Sequence, residues 1–444
     1  MNKPNLLFIF ADQMRASSLG CMGQEAVLTP HLDSLAEQGL LFTNAIANSP
    51  VCTPSRASMI TGRHALSARC FLNDIRLPAD NPSIARAFNR AGYHSAYIGK
   101  WHLDGISRHM FTPPERRHGF DHYWAAYNCH HNYLSPKYYL NDDPNLVREA
   151  GYEPEIQTNL AIKYLHEHGA QPFNLWLSFG TPHDPYDQVP QEYLDLYPPE
   201  KLSLRPNVLS PDRQAIAGYY AHINAIDACV ARLLESLEQL GLSDNTLVVF
   251  TSDHGDMLWS HMLRNKQQPY EESIHIPLIM RIPWLPNATG TNESLISVVD
   301  LAPTLLGLCG LTVPTEMQGC DLSGCLEGRD HFEQPLVFIN NYGAFDQARG
   351  LQPWRGVRTR HYTYARWLQG SSVLFDNLND PYQQRNLALE PGQSGLLLKM
   401  EQELEAWLEK TGDAFLPVEE HIKAAGQSEE WFLREEHFHG GFNF

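Results

Sequence analysis

The sequence runs to 444 residues, 43% of them hydrophobic, and sets 33 Lys and Arg against 51 Asp and Glu for a formal charge of -18. That length exceeds what one hydrophobic core grows to, so the expectation is a large α/β domain with a smaller appendage. The acidic balance excludes nucleic acid and anionic membrane as general partners, and no apolar run approaches the roughly 18 residues of a membrane span.

The chain enters a strand-like run, Leu6 to Phe10, almost at once, without a charged leader or long apolar stretch, so a soluble, cytoplasmic protein is expected. Further apolar segments at Ser95 to Gly99, Phe173 to Phe179, Thr246 to Thr251 and Leu278 to Ile282 read as strands. Between them lie helical stretches, most clearly Asp212 to Leu240, where Ile216, Tyr219, Tyr220, Ile223, Ile226, Val230, Leu233, Leu234 and Leu237 recur at helix spacing. The alternation predicts a large, mostly parallel sheet with helices on both faces over residues 1–326. Strands Leu336 to Ile339 and Val357 to Tyr364, then a helix around Leu396 to Trp407, predict a smaller C-terminal α+β subdomain over 327–444. The cysteines Cys21, Cys52, Cys70, Cys129, Cys229, Cys309, Cys320 and Cys325 are scattered without C-x-x-C pairs, which suggests neither a zinc site nor a disulfide scaffold.

Polar residues follow the strands: Asp12 and Gln13, Lys100 and His102, His183, Asp253 and His254. Ligands bind at the carboxyl ends of strands in open α/β sheets, so these segments point to one crevice. The densest signal is Val51-Cys52-Thr53-Pro54-Ser55-Arg56, with Thr61-Gly62-Arg63 following. Pro54 suits a first helical turn, which puts Cys52 at a helix N-terminus where N–H groups favour an anion, with Arg56 on the same side one turn on.

With these residues the chain resembles the type I sulfatases of the alkaline-phosphatase-like superfamily, whose signature is C-x-P-S-R followed by T-G-R. The likeness extends to Thr29-Pro30-His31-Leu32-Asp33, Gly99-Lys100-Trp101-His102, Pro182-His183, Asp253-His254-Gly255-Asp256, Lys266 with Tyr270-Glu271-Glu272-Ser273, and Leu374-Phe375-Asp376 to Asn386-Leu387-Ala388. It implies a sulfuric ester hydrolase in which a formylglycine-generating enzyme oxidises Cys52 to an aldehyde that hydrates to a diol. Asp12, Gln13, Asp253, His254 and residue 52 would then surround a divalent metal. Each Asp alone reads as a turn or helix cap; beside Cys52 they read as a mostly oxygen shell. The resemblance implies calcium, and the imidazole leaves manganese or magnesium open.

By the same resemblance, Lys100, His102, His183 and Lys266 hold the sulfate and shuttle protons. The metal and Arg56 stabilise an oxygen of the diol as it attacks sulfur, His183 with Lys266 assists the leaving alcohol, and His102 deprotonates the second hydroxyl so that sulfate departs. The substrate expected is a sulfated carbohydrate or an aryl or alkyl sulfate. The alternatives are a phosphonate monoester or phosphodiester hydrolase of the same superfamily, and a non-catalytic metal-bound binding protein with Cys52 unmodified.

The chain departs from the family pattern at Trp259-Ser260-His261-Met262-Leu263, where relatives often carry Gly-Asp-His-Gly-Leu. Trp124, Tyr127, His130, His131, Tyr133 and Tyr138 could form an aromatic platform for substrate, but a core role is favoured. Arg355 and His361 are further candidate substrate contacts without a motif to raise them.

Overall fold

The computed structural model describes residues 3–285, 287–331, 333–343 and 352–439. Its centre is the strand Asn5–Asp12, an apolar run buried along its whole length. Alternate side chains go to opposite faces of a strand. Leu7, Ile9 and Ala11 accordingly join one core with the helices Pro30–Glu37, Glu153–His168 and Arg213–Gln239. Leu6, Phe8 and Phe10 join another with Cys52–Thr61, Ile84–Arg90 and Val298–Leu308. Each such fully buried side chain contributes about 1.5–3 kcal/mol. Two covered faces explain why the strand reads as continuous hydrophobic sequence rather than as alternation.

Asn5–Asp12 pairs in parallel with Phe173–Pro182 on one side and Thr246–Ser252 on the other, and His94–Lys100 and Tyr123–Tyr127 extend the parallel block. Antiparallel strands flank it, Leu278–Arg281 at one side and Lys137–Leu140 at the other, within a ten-stranded sheet. The expected large, mostly parallel sheet with helices on both faces is therefore what the chain forms. The long helix expected over Asp212 to Leu240 spans Arg213–Gln239, and the Asp212 side chain caps it by accepting from Ala215 N–H. No helix among the described residues is long and apolar enough to cross a membrane.

Toward the C-terminus a four-stranded antiparallel sheet (Leu336–Asn341, Trp354–Thr359, Tyr362–Trp367, Ser372–Asp376) carries the helix Ser394–Thr411 on one face. Its other face packs Val337, Ile339 and Trp354 against Ile46, Ile274 and Leu295 of the larger part. The strand expected over Val357 to Tyr364 is instead a hairpin. The chain reverses at Arg360 and His361, where Thr359 Oγ1 accepts from His361 N at 3.3 Å and from Tyr362 N at 2.9 Å. The turn contains neither Gly nor Pro, so the segment carries no turn signal in sequence. Arg355, a candidate substrate contact, is buried and paired with Asp413 across Tyr342, whereas His361 stands exposed at the hairpin turn.

Gly99 sits one residue before Lys100 with φ +102, and a Cβ there would lie 1.9 Å from the Ser178 carbonyl of the neighbouring strand. A left-handed backbone and that approach both demand glycine. Gly99→Ala should therefore lower stability by about 3 kcal/mol, read as a fall in the urea midpoint. An unchanged midpoint would contradict so close a contact between these strands.

Candidate active site

The carboxyl ends of the parallel strands bring the expected residues together. Asp12 ends its strand, Asp253 follows Thr246–Ser252, Lys100 closes His94–Lys100, and His183 follows Phe173–Pro182. Facing them is the helix Cys52–Thr61, entered from Val51 in extended conformation, so Cys52 is its first residue. Arg56, one turn on, places Nη2 2.8 Å from Asp12 Oδ2 and Nε 2.9 Å from Asp253 Oδ2. Its Nη1 donates to the Lys100 carbonyl at 2.7 Å and to Ser178 Oγ at 2.8 Å. One buried guanidinium thus ties the helix to several strand ends.

Docking Arg56 fixes Cys52. The Cys52 Sγ lies 3.2 Å from His254 Nε2, 3.7 Å from Asp12 Oδ1 and 4.0 Å from Lys100 Nζ. Lys100 Nζ also meets Asp12 Oδ2 at 2.6 Å. Burial opposes a thiolate here, but Lys100, Lys266 and His254 outweigh it and pull the Cys52 thiol well below its ordinary range. The carboxyls diverge. Burial and Cys52 act against an ionised Asp12, yet Lys100 and Arg56 hold it below the usual carboxylate range, while burial and the charge of Asp12 push Asp253 up.

Asp12, Cys52, Asp253 and His254 each present one donor atom, all within 4.8 Å of one another and all buried. His254 Nδ1 is 2.9 Å from the Gly255 carbonyl, which makes Nδ1 a donor and leaves Nε2 facing the cluster. Gln13, with φ 73, donates its N–H to Asp253 Oδ1 at 3.0 Å and its side-chain amide to Asp256 Oδ2 at 2.7 Å. Its side-chain oxygen accepts from Lys266.

Lys266 in turn reaches His183, with Nζ to Nε2 at 2.6 Å, while His183 Nδ1 lies 2.7 Å from the Asp184 carbonyl. His183 therefore carries its proton on Nδ1 and accepts from Lys266 through Nε2. On another side of Cys52, His102 Nε2 lies 3.1 Å from Asp74 Oδ1, and Arg108 grips the same carboxylate in a fork of 2.8 Å from Nε and 2.8 Å from Nη2. His102 and Asp74 both adopt left-handed backbones, φ 55 and 62. Burial works against an imidazolium, but Cys129 and the hydrogen bond to Asp74 raise His102 to about 10. Cys129 answers in kind: burial opposes its ionisation, while His102, Lys100 and Arg108 bring it down to about 6.

Asp12, Gln13, Cys52, Arg56, Lys100, His102, His183, Asp253, His254 and Lys266 thus lie in one connected cluster, whereas Arg355 and His361 lie in the C-terminal sheet away from it. Asp74, Arg108, Cys129 and His131 were missed as site residues. The first three carry no periodic or motif signal, whereas His131 lay in the aromatic segment assigned to core. That assignment holds for Trp124, Tyr127, Tyr133 and Tyr138, which are buried, but His131 stacks on His183. The divergent loop after Asp256 turns left-handed at Leu258, Trp259, His261, Met262, Asn265 and Gln267. It closes through Met257 N to Asn265 O at 2.6 Å and His261 N to Asn207 O at 2.9 Å, and so delivers Lys266 to the pocket.

Comparison with known proteins agrees with this geometry. The Sulfatase family pattern matches residues 4–311, and that of the N-sulphoglucosamine sulphohydrolase C-terminal region matches 260–410. An ulvan-active sulfatase of Formosa agariphila is 40% identical over 95% of this chain and 84% of its own length. An endo-4-O-sulfatase of Bacteroides thetaiotaomicron is 31% identical over 87% of this chain and 88% of its own. The solved structure of a Bacteroides fragilis protein described as sulfatase yidJ superposes with a TM-score of 0.84 at 34% identity, covering 94% of this chain and 97% of that one. The chain belongs to the sulfatase family of the alkaline-phosphatase-like superfamily.

Burial of Asp74 disfavours its ionised form, but Arg108 and His102 hold it well below the usual carboxylate range. A carboxyl depressed on folding adds stability above its unfolded value of about 4 and loses it as pH falls below that value. Asp74→Asn should cost about 3 kcal/mol near neutrality, because Arg108 loses its buried partner. It should also flatten the loss of stability between about pH 4 and pH 2. Urea unfolding across that range checks both, and an unchanged acid limb would contradict the assignment.

Proposed function

We propose that this chain hydrolyses sulfate esters of carbohydrates and releases inorganic sulfate, with Cys52 converted to formylglycine and a divalent cation at the adjoining acidic cluster. The observation that carries the reading is the placement of Cys52, first residue of a buried helix, among Lys100, Lys266 and His254 and beside the Asp12–Arg56–Asp253 bridge. The carbohydrate class is supported by the relatives at 40% and 31% identity, described as ulvan-active and as an endo-4-O-sulfatase.

The donor set fits a hard divalent cation. Asp12 and Asp253 supply carboxylate oxygens, His254 would supply Nε2 in its neutral form, and Gln13 an amide oxygen, and an oxygen at residue 52 would complete an oxygen-rich shell of the kind calcium takes. When present, the cation offsets charge on the sulfate, and the hydrated aldehyde at residue 52 supplies the attacking oxygen.

The chain's own residues do the rest. Lys100 and Lys266 neutralise the anion, with Lys100 held charged by Asp12 against the cost of burial. His183 receives a proton at Nε2 from Lys266 and passes it to the departing alcohol oxygen. His102, anchored at Nε2 by Asp74, lies beside Cys52 and Cys129, which favour its charged form, and its neutral form takes up the proton from residue 52. Replacing the Cys52 thiolate by a neutral group removes one of the anions that hold His102 protonated.

Thorough chelation should abolish release of sulfate from a sulfated oligosaccharide, and added calcium should restore it. Activity that survives metal removal would end the metal's catalytic role. Wild-type turnover should scale with the fraction of Cys52 converted, measured by peptide mass. Cys52→Ser, which has no second hydroxyl through which to expel sulfate, should stop as a stable sulfated protein visible by intact mass; steady multiple turnover by that variant would defeat the mechanism. His183→Ala should slow esters of poor leaving groups at least tenfold more than those of good ones, roughly within the range of general-acid effects.

A further inference from the structure

One face of the proposed leaving-group acid is covered by a residue that none of these roles uses. The rings of His131 and His183 stack with centroids 4.3 Å apart and planes 17° from parallel. His131 is itself fixed from behind. Its Nδ1 lies 3.1 Å from the Tyr133 hydroxyl, whose single proton goes to the Gly180 carbonyl at 2.9 Å. The hydroxyl must therefore accept from His131 Nδ1–H. Tyr133 is fully buried, and Gly180 belongs to the strand Phe173–Pro182 that delivers His183, so the hydroxyl that fixes His131 is itself tied to that strand. The remaining nitrogen, Nε2, sits 3.8 Å from Cys129 Sγ.

His183 is held in its own plane by Asp184 and Lys266, through Nδ1 and Nε2. In-plane hydrogen bonds leave rotation out of the plane to be limited by packing, and His131 supplies that packing. We infer that His131 is a positioning residue for the leaving-group acid: it clamps the His183 ring so that Nε2 stays aligned with Lys266 and with the departing oxygen, and keeps water off that face. Burial, with His183, Lys100, Arg108 and Lys266 around it, keeps His131 neutral, so the clamp adds no charge against the acid. The inference rests on the reading of His183 as acid given above. A misplaced acid costs most where the leaving group depends on it, and small displacements of a catalytic group are worth up to about a hundredfold in rate.

The test uses metal-loaded enzyme with Cys52 conversion matched by mass, and a series of aryl sulfates of graded leaving-group pKa. His131→Ala should reduce kcat/KM about tenfold for the poorest leaving group and by less than about twofold for the best, steepening the dependence on leaving-group pKa. His131→Phe keeps a flat ring against His183 and should restore most of the loss. Tyr133→Phe removes only the hydroxyl that orients His131 and should show a smaller effect in the same direction; together with His131→Phe it decides the matter should the alanine variant not fold. A merely structural role predicts losses equal across the series. Equal losses in the His131 variants, beside a steep dependence in His183→Ala, would overturn the clamp and leave the acid in place. A flat response from His183→Ala itself would remove the acid, and the clamp with it.

Discussion

A guanidinium buried between two carboxylates is the interaction on which this pocket depends. Removing Asp12 and Asp253 from water costs several kcal/mol per ion in a protein interior, and Arg56 offsets that cost with a hydrogen bond to each. Because Arg56 and Cys52 lie one turn apart on the same helix, the ion bridge that neutralises the strand ends also sets Cys52 over them. Phe10, packed 5.0 Å beneath the guanidinium, shields the bridge from the sheet side. Electrostatic balance and the placement of Cys52 are thus one constraint.

This local coupling explains what could be read from sequence. Cys52, Pro54 and Arg56 act through the geometry of a single helical turn, so their spacing is itself the signal. The helix Arg213–Gln239 was legible for a similar reason, since its apolar stripe repeats at helical period against a single core. Asp12, His183 and Asp253 could be placed because each follows a buried strand. Asp74 and His131 have no such address. Asp74 meets Arg108 and His102 from an irregular segment, and His131 meets His183 across 52 positions of chain. The Trp354–Trp367 hairpin was hidden by the opposite effect: strand-forming residues continue on both sides of a turn, Arg360-His361, that has neither Gly nor Pro.

The charge distribution reconciles an acidic protein with an anionic substrate. A formal charge of -18 spread over the surface disfavours anions at long range, but salt screens exposed charges beyond about 8 Å. Inside the pocket Arg56, Lys100, Lys266 and His102 act where screening is weak. Several of these cations are already matched by protein anions, Lys100 by Asp12 and His102 by Asp74. An incoming sulfate therefore meets a field oriented by carboxylates rather than a loose cluster of positive charge.

The loop that delivers Lys266 bears on how such a chain changes over time. Its left-handed residues are not equivalent: Leu258 is fully buried, whereas Met262 is 68% exposed. A non-glycine residue in that conformation carries roughly 1–2 kcal/mol of strain, and at position 262 little packing would be lost by relieving it. Selection for heat tolerance has an easy route there through glycine, while position 258 is locked by its neighbours. Drift in this enzyme should accordingly be lopsided along one short stretch, free at the rim and frozen a few residues earlier, with Lys266 carried unchanged just beyond them.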